Sequence, residues 1–317
     1  MTLHNSVITE DIDAIKVYVE QGGDINAKDE GGQTPLDWAI FDGFTDITRT
    51  LIDLGAAVDS RDFNGAQAIH WASSAGRIEE IKLLIGRGAD VNAVQVDGRG
   101  PLALAAEFGQ LEAVNLLLEA GVSVDGANGE CPPICFAAEF GHMKIVKALI
   151  EAGADIERVG ESKTALQWAA EYGQQEVVDG LVAAGADMEV RGPEGRTSLI
   201  LAVVYGHTET VKALLAQGAS CVEEEGSTAA ICASAEFGEL GIARILLDAG
   251  ATVSHFEEDK TPLHWAAEFN HLDVLNLLLE RGADPAAVSK STQLTPLALA
   301  KLVGNTEVIA CLEALSE

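Results

Sequence analysis

The chain repeats itself. The stretch Ala106-Glu107-Phe108-Gly109 returns as Ala138-Glu139-Phe140-Gly141, Ala170-Glu171-Tyr172-Gly173 and Ala235-Glu236-Phe237-Gly238, then as Ala267-Glu268-Phe269-Asn270. A relaxed copy, Val203-Val204-Tyr205-Gly206, fills the gap, and the successive spacings are 32, 32, 33, 32 and 32 residues. Self-similarity at a fixed period of this size marks a stack of supersecondary units, none of which can bury its apolar face alone. A chain of 317 residues would otherwise suggest two or three globular domains; the repeat predicts one stacked domain over 1–317 instead.

The fullest unit shows why each part is there. Thr261 is placed to cap a helix, and Pro262 follows at the first helical position, where its missing N–H costs nothing. Leu263, Ala266 and Ala267 give that short helix a buried face of small and branched residues, and Asn270 ends it where most units have Gly. Val274, Leu275, Leu277, Leu278 and Leu279 form a second apolar helix, stopped by Gly282. Two antiparallel helices per unit are expected, joined to the next pair by turn-rich fingers such as Asp62-Phe63-Asn64-Gly65.

The Thr261-Pro262-Leu263-His264 opening and the Gly282-Ala283-Asp284 closing resemble the ankyrin repeat, and matching openings recur from Thr34-Pro35-Leu36 to Thr295-Pro296-Leu297. The resemblance covers essentially the whole chain and implies an all-α solenoid of ten stacked helix pairs. Residues 1–30 would be an N-terminal capping unit lacking its turn, 31–291 eight full repeats, and 292–317 a C-terminal capping unit. At helix spacings of roughly 8–10 Å such a stack would run on the order of 90 Å. Some units depart from the pattern: Pro132 stands where a cap is expected, and the unit opening at Ala229 lacks both Thr and Pro, with Cys232 for the usual His. Lost caps cost roughly 1 kcal/mol each, so residues 226–257 are expected to be the least stable internal stretch.

Positions eight, eleven and twelve of each unit lie at i, i+3 and i+4 on one helix face. In the ankyrin family that face lines a concave groove. Carried onto this chain, the resemblance implies a groove containing Trp38, Phe41, Asp42, Trp71, Glu107, Phe108, Phe136, Glu139 and Phe140. It continues with Trp168, Glu171, Tyr172, Tyr205, Glu236, Phe237, Trp265, Glu268 and Phe269. An aromatic stripe at helical spacing is commonly core, but Leu and Ala already fill the buried positions. Exposed rings bordered by carboxylates suit a positively charged segment, the rings taking stems and cations and the carboxylates taking Lys or Arg heads. Glu223, Glu224 and Glu225, with Glu257, Glu258 and Asp259 on the adjacent finger, would add acidic tips.

Composition narrows the partner. A net charge of −30, from 50 acidic and 20 basic residues, argues against bare nucleic acid or anionic lipid and favours basic partners. Five scattered cysteines of odd number suit a reducing, intracellular compartment, and no Cys/His spacing completes a metal site. Neither a leader-like segment nor a run of about 20 apolar residues occurs. No phosphate loop, nucleophile elbow or isolated acid pair appears, so no cofactor and no catalysis are expected. The expectation is a monomeric protein-binding scaffold that takes a basic, extended peptide or protein face. Two alternatives stand beside it: a histone-tail or methyl-lysine reader using Trp168 with Glu171 and Trp265 with Glu268, and a shape-docking inhibitor or scaffold using its fingers.

Overall fold

The computed structural model describes residues 3–126, 131–222, 228–257 and 259–315. Its described residues are all-helical, with twenty α-helices, one short 3-10 turn and no strand. They divide into two compact units, Met1–Glu161 and Ser162–Glu317.

The first unit holds five helix pairs: α1 (Leu3–Ile8) with α2 (Ile12–Glu20), α3 (Pro35–Asp42) with α4 (Thr45–Asp53), and α5 (Ala68–Ser74) with α6 (Ile78–Gly86). Next come α7 (Pro101–Glu107) with α8 (Leu111–Glu119) and α9 (Pro133–Glu139) with α10 (Met143–Glu151). The second unit repeats the scheme with α11 (Ala165–Glu171) and α12 (Gln175–Ala183), α13 (Ser198–Val204) and α14 (Thr208–Ala216), and α15 (Ala230–Phe237) and α16 (Leu240–Asp248). It ends with α17 (Pro262–Glu268) and α18 (Leu272–Glu280), then α19 (Pro296–Val303) and α20 (Thr306–Ala314). Within each unit, odd-numbered helices pack on odd-numbered neighbours and even on even, giving a front and a back row.

Residue size sets this spacing. Leu36, Ile69, Leu102 and Ile134 in the first unit, and Leu166, Leu199, Ile231 and Leu263 in the second, are all buried between front helices. Three residues on, Ala39, Ala72, Ala105, Ala137, Ala169, Ala202 and Ala266 are fully buried, small enough for the rows to close up. Ser234 holds that position in α15 and turns its hydroxyl inward, donating to the Ile231 carbonyl at 2.8 Å. Most front helices stop at a left-handed glycine, and Asn270 takes the same conformation at φ 63°.

Capping follows the openings. Thr34 and Asp37 form a reciprocal capping box, as do Thr164 with Gln167 and Thr261 with His264. The third helical residue has a second task, reaching the next finger: His70 Nε2–H donates to the Ala93 carbonyl at 3.0 Å, Gln167 Nε2 to Val190 at 3.0 Å, and His264 Nε2–H to Leu294 at 3.0 Å. Pro132 and Ala229 provide no side-chain cap. In α15, where Cys232 stands at the third position, Glu257 Oε2 takes over the task that His264 and Gln167 perform in their own repeats, accepting the N–H of the N-cap residue Ala229 at 3.3 Å, while residue 229 supplies no side-chain cap of its own.

Candidate functional site

A column of exposed rings stands where front helices end. Phe41, Phe108 and Phe140 in the first unit, and Tyr172, Tyr205, Phe237 and Phe269 in the second, are 44% to 56% exposed. Burial would add to stability, yet about half of each ring stays open to solvent in either unit. Asp42 is exposed beside Phe41. A histidine after the terminal Gly or Asn270 fixes the backbone of this edge in three repeats. His142 Nε2–H donates to the Glu107 carbonyl at 3.0 Å, His207 to Glu171 at 2.8 Å and His271 to Glu236 at 2.9 Å.

The position-eight residues lie deeper. Trp38, Trp71 and Phe136 in the first unit, and Trp168 and Trp265 in the second, are half-buried, deeper than the exposed rings of their own unit. Trp38 Nε1–H donates to Asp29 Oδ2 at 2.8 Å. Although burial works to raise the Asp29 pKa, donors from Gln33, Trp38 and Gly31 hold it below the ordinary carboxylate value. Phe41 stands edge-on to Trp71, with ring centres 5.7 Å apart. Trp168 lies 6.1 Å from Tyr172, and Trp265 stacks at 6.1 Å on Phe269. In the first unit Phe41, Trp71, Leu104 and Phe108 line an open groove of about 660 Å³, with Asp62 and Arg99 among its polar walls.

The carboxylates at position eleven are not all presented to solvent. Glu107 Oε2 pairs with Arg99 at 2.8 Å, Glu171 pairs with Lys163, and Glu268 Oε2 pairs with Lys260 at 2.5 Å. Glu171 is consequently buried, 9% exposed, whereas Glu139 and Glu236 are half-buried. Lys163 Nζ also sits 4.2 Å from the Trp168 ring centre, and Lys260 Nζ 4.1 Å from that of Trp265. The two Trp/Glu boxes considered for a methylated lysine therefore already contain an ammonium group of the chain itself.

Sequence reasoning missed Arg99, Lys163 and Lys260, although the signal was present. A basic residue one place before the helix opening lies eight residues before the position-eleven carboxylate. In the unit where that position is Val204, the equivalent Arg196 turns to Glu194 at 3.0 Å instead. Of the acidic finger residues, Glu223, Glu224, Glu225 and Glu258 lie outside the described residues. Glu257 is engaged at the Ala229 N–H, and Asp259 accepts from the Ser291 hydroxyl. Fingers also carry exposed apolar tips in the first unit, Phe63 at 73% and Val96 at 81% exposure.

Among the described residues no cluster of three or more His, Cys, Asp or Glu side chains could hold a metal ion. No helix among them is long and apolar enough to cross a membrane. Comparison with known proteins agrees with the helix-pair architecture. The family model "Ankyrin repeats (3 copies)" matches residues 3–95, 55–128, 76–160, 102–192, 137–225, 166–257 and 219–289. A stretch of 49 residues is 43% identical to protein phosphatase 1 regulatory subunit 27 of Homo sapiens, covering 16% of this chain and 32% of that protein. The Mus musculus protein of the same name matches equally, at 43% over 49 residues. The chain thus spans about a third of the length of the curated relatives it matches.

Proposed function

Because this chain belongs to the ankyrin-repeat family, whose stacked units serve protein–protein interaction, we propose that it is a non-catalytic, monomeric scaffold for a basic partner. The partner's Lys- or Arg-containing extended segment would lie along the exposed rings of the front helices. One observation carries the reading: the ring column is 44% to 56% exposed, whereas the Leu and Ala columns beside it are buried. Flat rings offer apolar contact to lysine and arginine stems and a π face to their charged heads. With a net charge of −30, the chain would attract such a segment from a distance and repel copies of itself.

A second reading, docking onto a folded enzyme through the fingers, is favoured by the stretch similar to a phosphatase regulatory subunit and by the exposed tips Phe63 and Val96. One experiment separates the two. Partners captured from the native source, or an oligolysine probe, are titrated against Tyr172→Ala with Phe237→Ala and, separately, Phe63→Ser with Val96→Ser. The groove reading expects the ring pair to cost about tenfold or more in affinity, the finger pair little. The opposite pattern would transfer the function to the fingers.

A further inference from the structure

In the second unit, the chain itself supplies the cation that a basic partner would bring. Lys163 lies over Trp168 and pairs with Glu171; Lys260 lies over Trp265 and pairs with Glu268. Each indole thus has two neighbours, the ammonium over its ring and, with ring centres 6.1 Å apart, the exposed ring of Tyr172 or Phe269. The boxes are sheltered rather than solvated, the Lys163 and Glu171 side chains being 21% and 10% exposed and those of Lys260 and Glu268 24% and 25%. Building on the groove reading above, we propose that Lys163 and Lys260 are internal competitors, occupying two cation subsites that a basic partner enters only by displacing them.

The physical case rests on tethering. Each lysine is held eight residues before its glutamate, on the finger that leads into the same helix. A group tethered this closely acts at an effective concentration on the order of millimolar or higher, well above that of a free peptide. Exchange of one ammonium for another gains no net ion pair. Only a partner that also covers the outer ring recovers enough to displace the lysine. The competitors thereby restrain a strongly acidic protein from indiscriminate capture of polycations. Arg99 with Glu107 makes the same ion pair in the first unit, but Leu104 stands at position eight there, so that box has no indole floor.

The test uses the full chain and an oligolysine probe at fixed salt. Lys163→Met and Lys260→Met should each tighten binding roughly threefold, and together about tenfold, the scale of a partly screened ion pair. Lys212→Met with Lys301→Met is the control: these lysines of the same unit pair with Glu209 and Glu313 away from the boxes, and their loss makes the same change in net charge. It should change affinity less than twofold by the same measure. Adding Glu171→Gln and Glu268→Gln to the double lysine variant should abolish the gain. A readout on the unaltered protein guards against folding defects: acetic anhydride should acylate Lys163 and Lys260 faster when oligoarginine is bound than when it is absent. Unchanged affinity in the lysine variants, or continued protection in the complex, overturns the competition and leaves the groove reading standing. Failure of both wild type and lysine variants to bind either probe overturns the groove reading and the competition with it.

Discussion

At the scale of single residues, the third helical position shows how one geometric demand is met by different chemistries. His70 accepts the Gln67 N–H at Nδ1, 3.1 Å away, while its Nε2–H donates to Ala93, so the ring must be neutral to serve both partners. Burial pushes the His70 pKa down to about 4, and His264, held in the same way, is also lowered, chiefly by burial. Asp37 behaves oppositely: burial raises it to about 6 against the donors of Thr34. The signs follow from proton uptake. Between about 6.5 and 4 the unfolded chain protonates His70 first, so acidification removes stability there. Between about 6 and 3.8 the folded chain protonates Asp37 first, so acidification adds it. Each contribution is about 3 kcal/mol, and within this pair they largely cancel. His70→Gln preserves the hydrogen-bonding roles that Gln167 performs in its own unit. Relative to wild type, this variant should gain about 2–3 kcal/mol in urea unfolding as pH falls from about 7 to about 4.5. A wild-type pH slope in the variant would mean that His70 titrates normally.

The helices differ chiefly in their first turns. α11 and α17 begin with threonine capping boxes, while α15 has Ala229 at its N-cap and borrows Glu257 from the following finger in place of a third-position acceptor. A borrowed acceptor is available only while that finger stays in place, which couples the two segments. Ala229→Thr should supply the missing cap and raise stability by about 1 kcal/mol in chemical denaturation. In the wild type, amides of 228–257 should exchange faster than those of the α17 and α18 pair; equal protection would show that the missing threonine cap costs α15 nothing in local stability. The same scale explains the placement of the rings. A position-twelve residue sits at the helix terminus beside the left-handed Gly or Asn, where the next repeat's His142, His207 or His271, or Arg77 or Asn305, bonds the backbone edge and leaves the ring half exposed.

For the whole molecule, charge is the dominant property. Fifty acidic residues against twenty basic ones create a field that extends beyond any one contact. Association with a basic probe should therefore slow by about tenfold or more between low and high salt, read by stopped-flow fluorescence of the groove tryptophans, while dissociation changes less. Comparable association rates at both salts would assign binding to the rings alone.

The repeat period, the two-helix unit, the buried Leu and Ala columns and the exposed position-twelve rings were all legible in the sequence. These features depend on local spacing: 3.6 residues per turn places positions eight, eleven and twelve on one face, and small residues mark the side that closes against neighbours. The division of labour within that face was not legible from helical period alone. Trp168 and Trp265 became floor, and Glu107, Glu171 and Glu268 became partners of Arg99, Lys163 and Lys260, because the finger folds back over the helix it precedes. Helical periodicity says nothing about a residue outside the helix. Where the finger basic residue met a carboxylate an ion pair resulted, over an indole at Lys163 and Lys260 and without one at Arg99; where it met Val204, Arg196 turned elsewhere. The repeated Glu-aromatic signature thus determined that a face exists, and only the tertiary structure decided which of its charges are already spoken for.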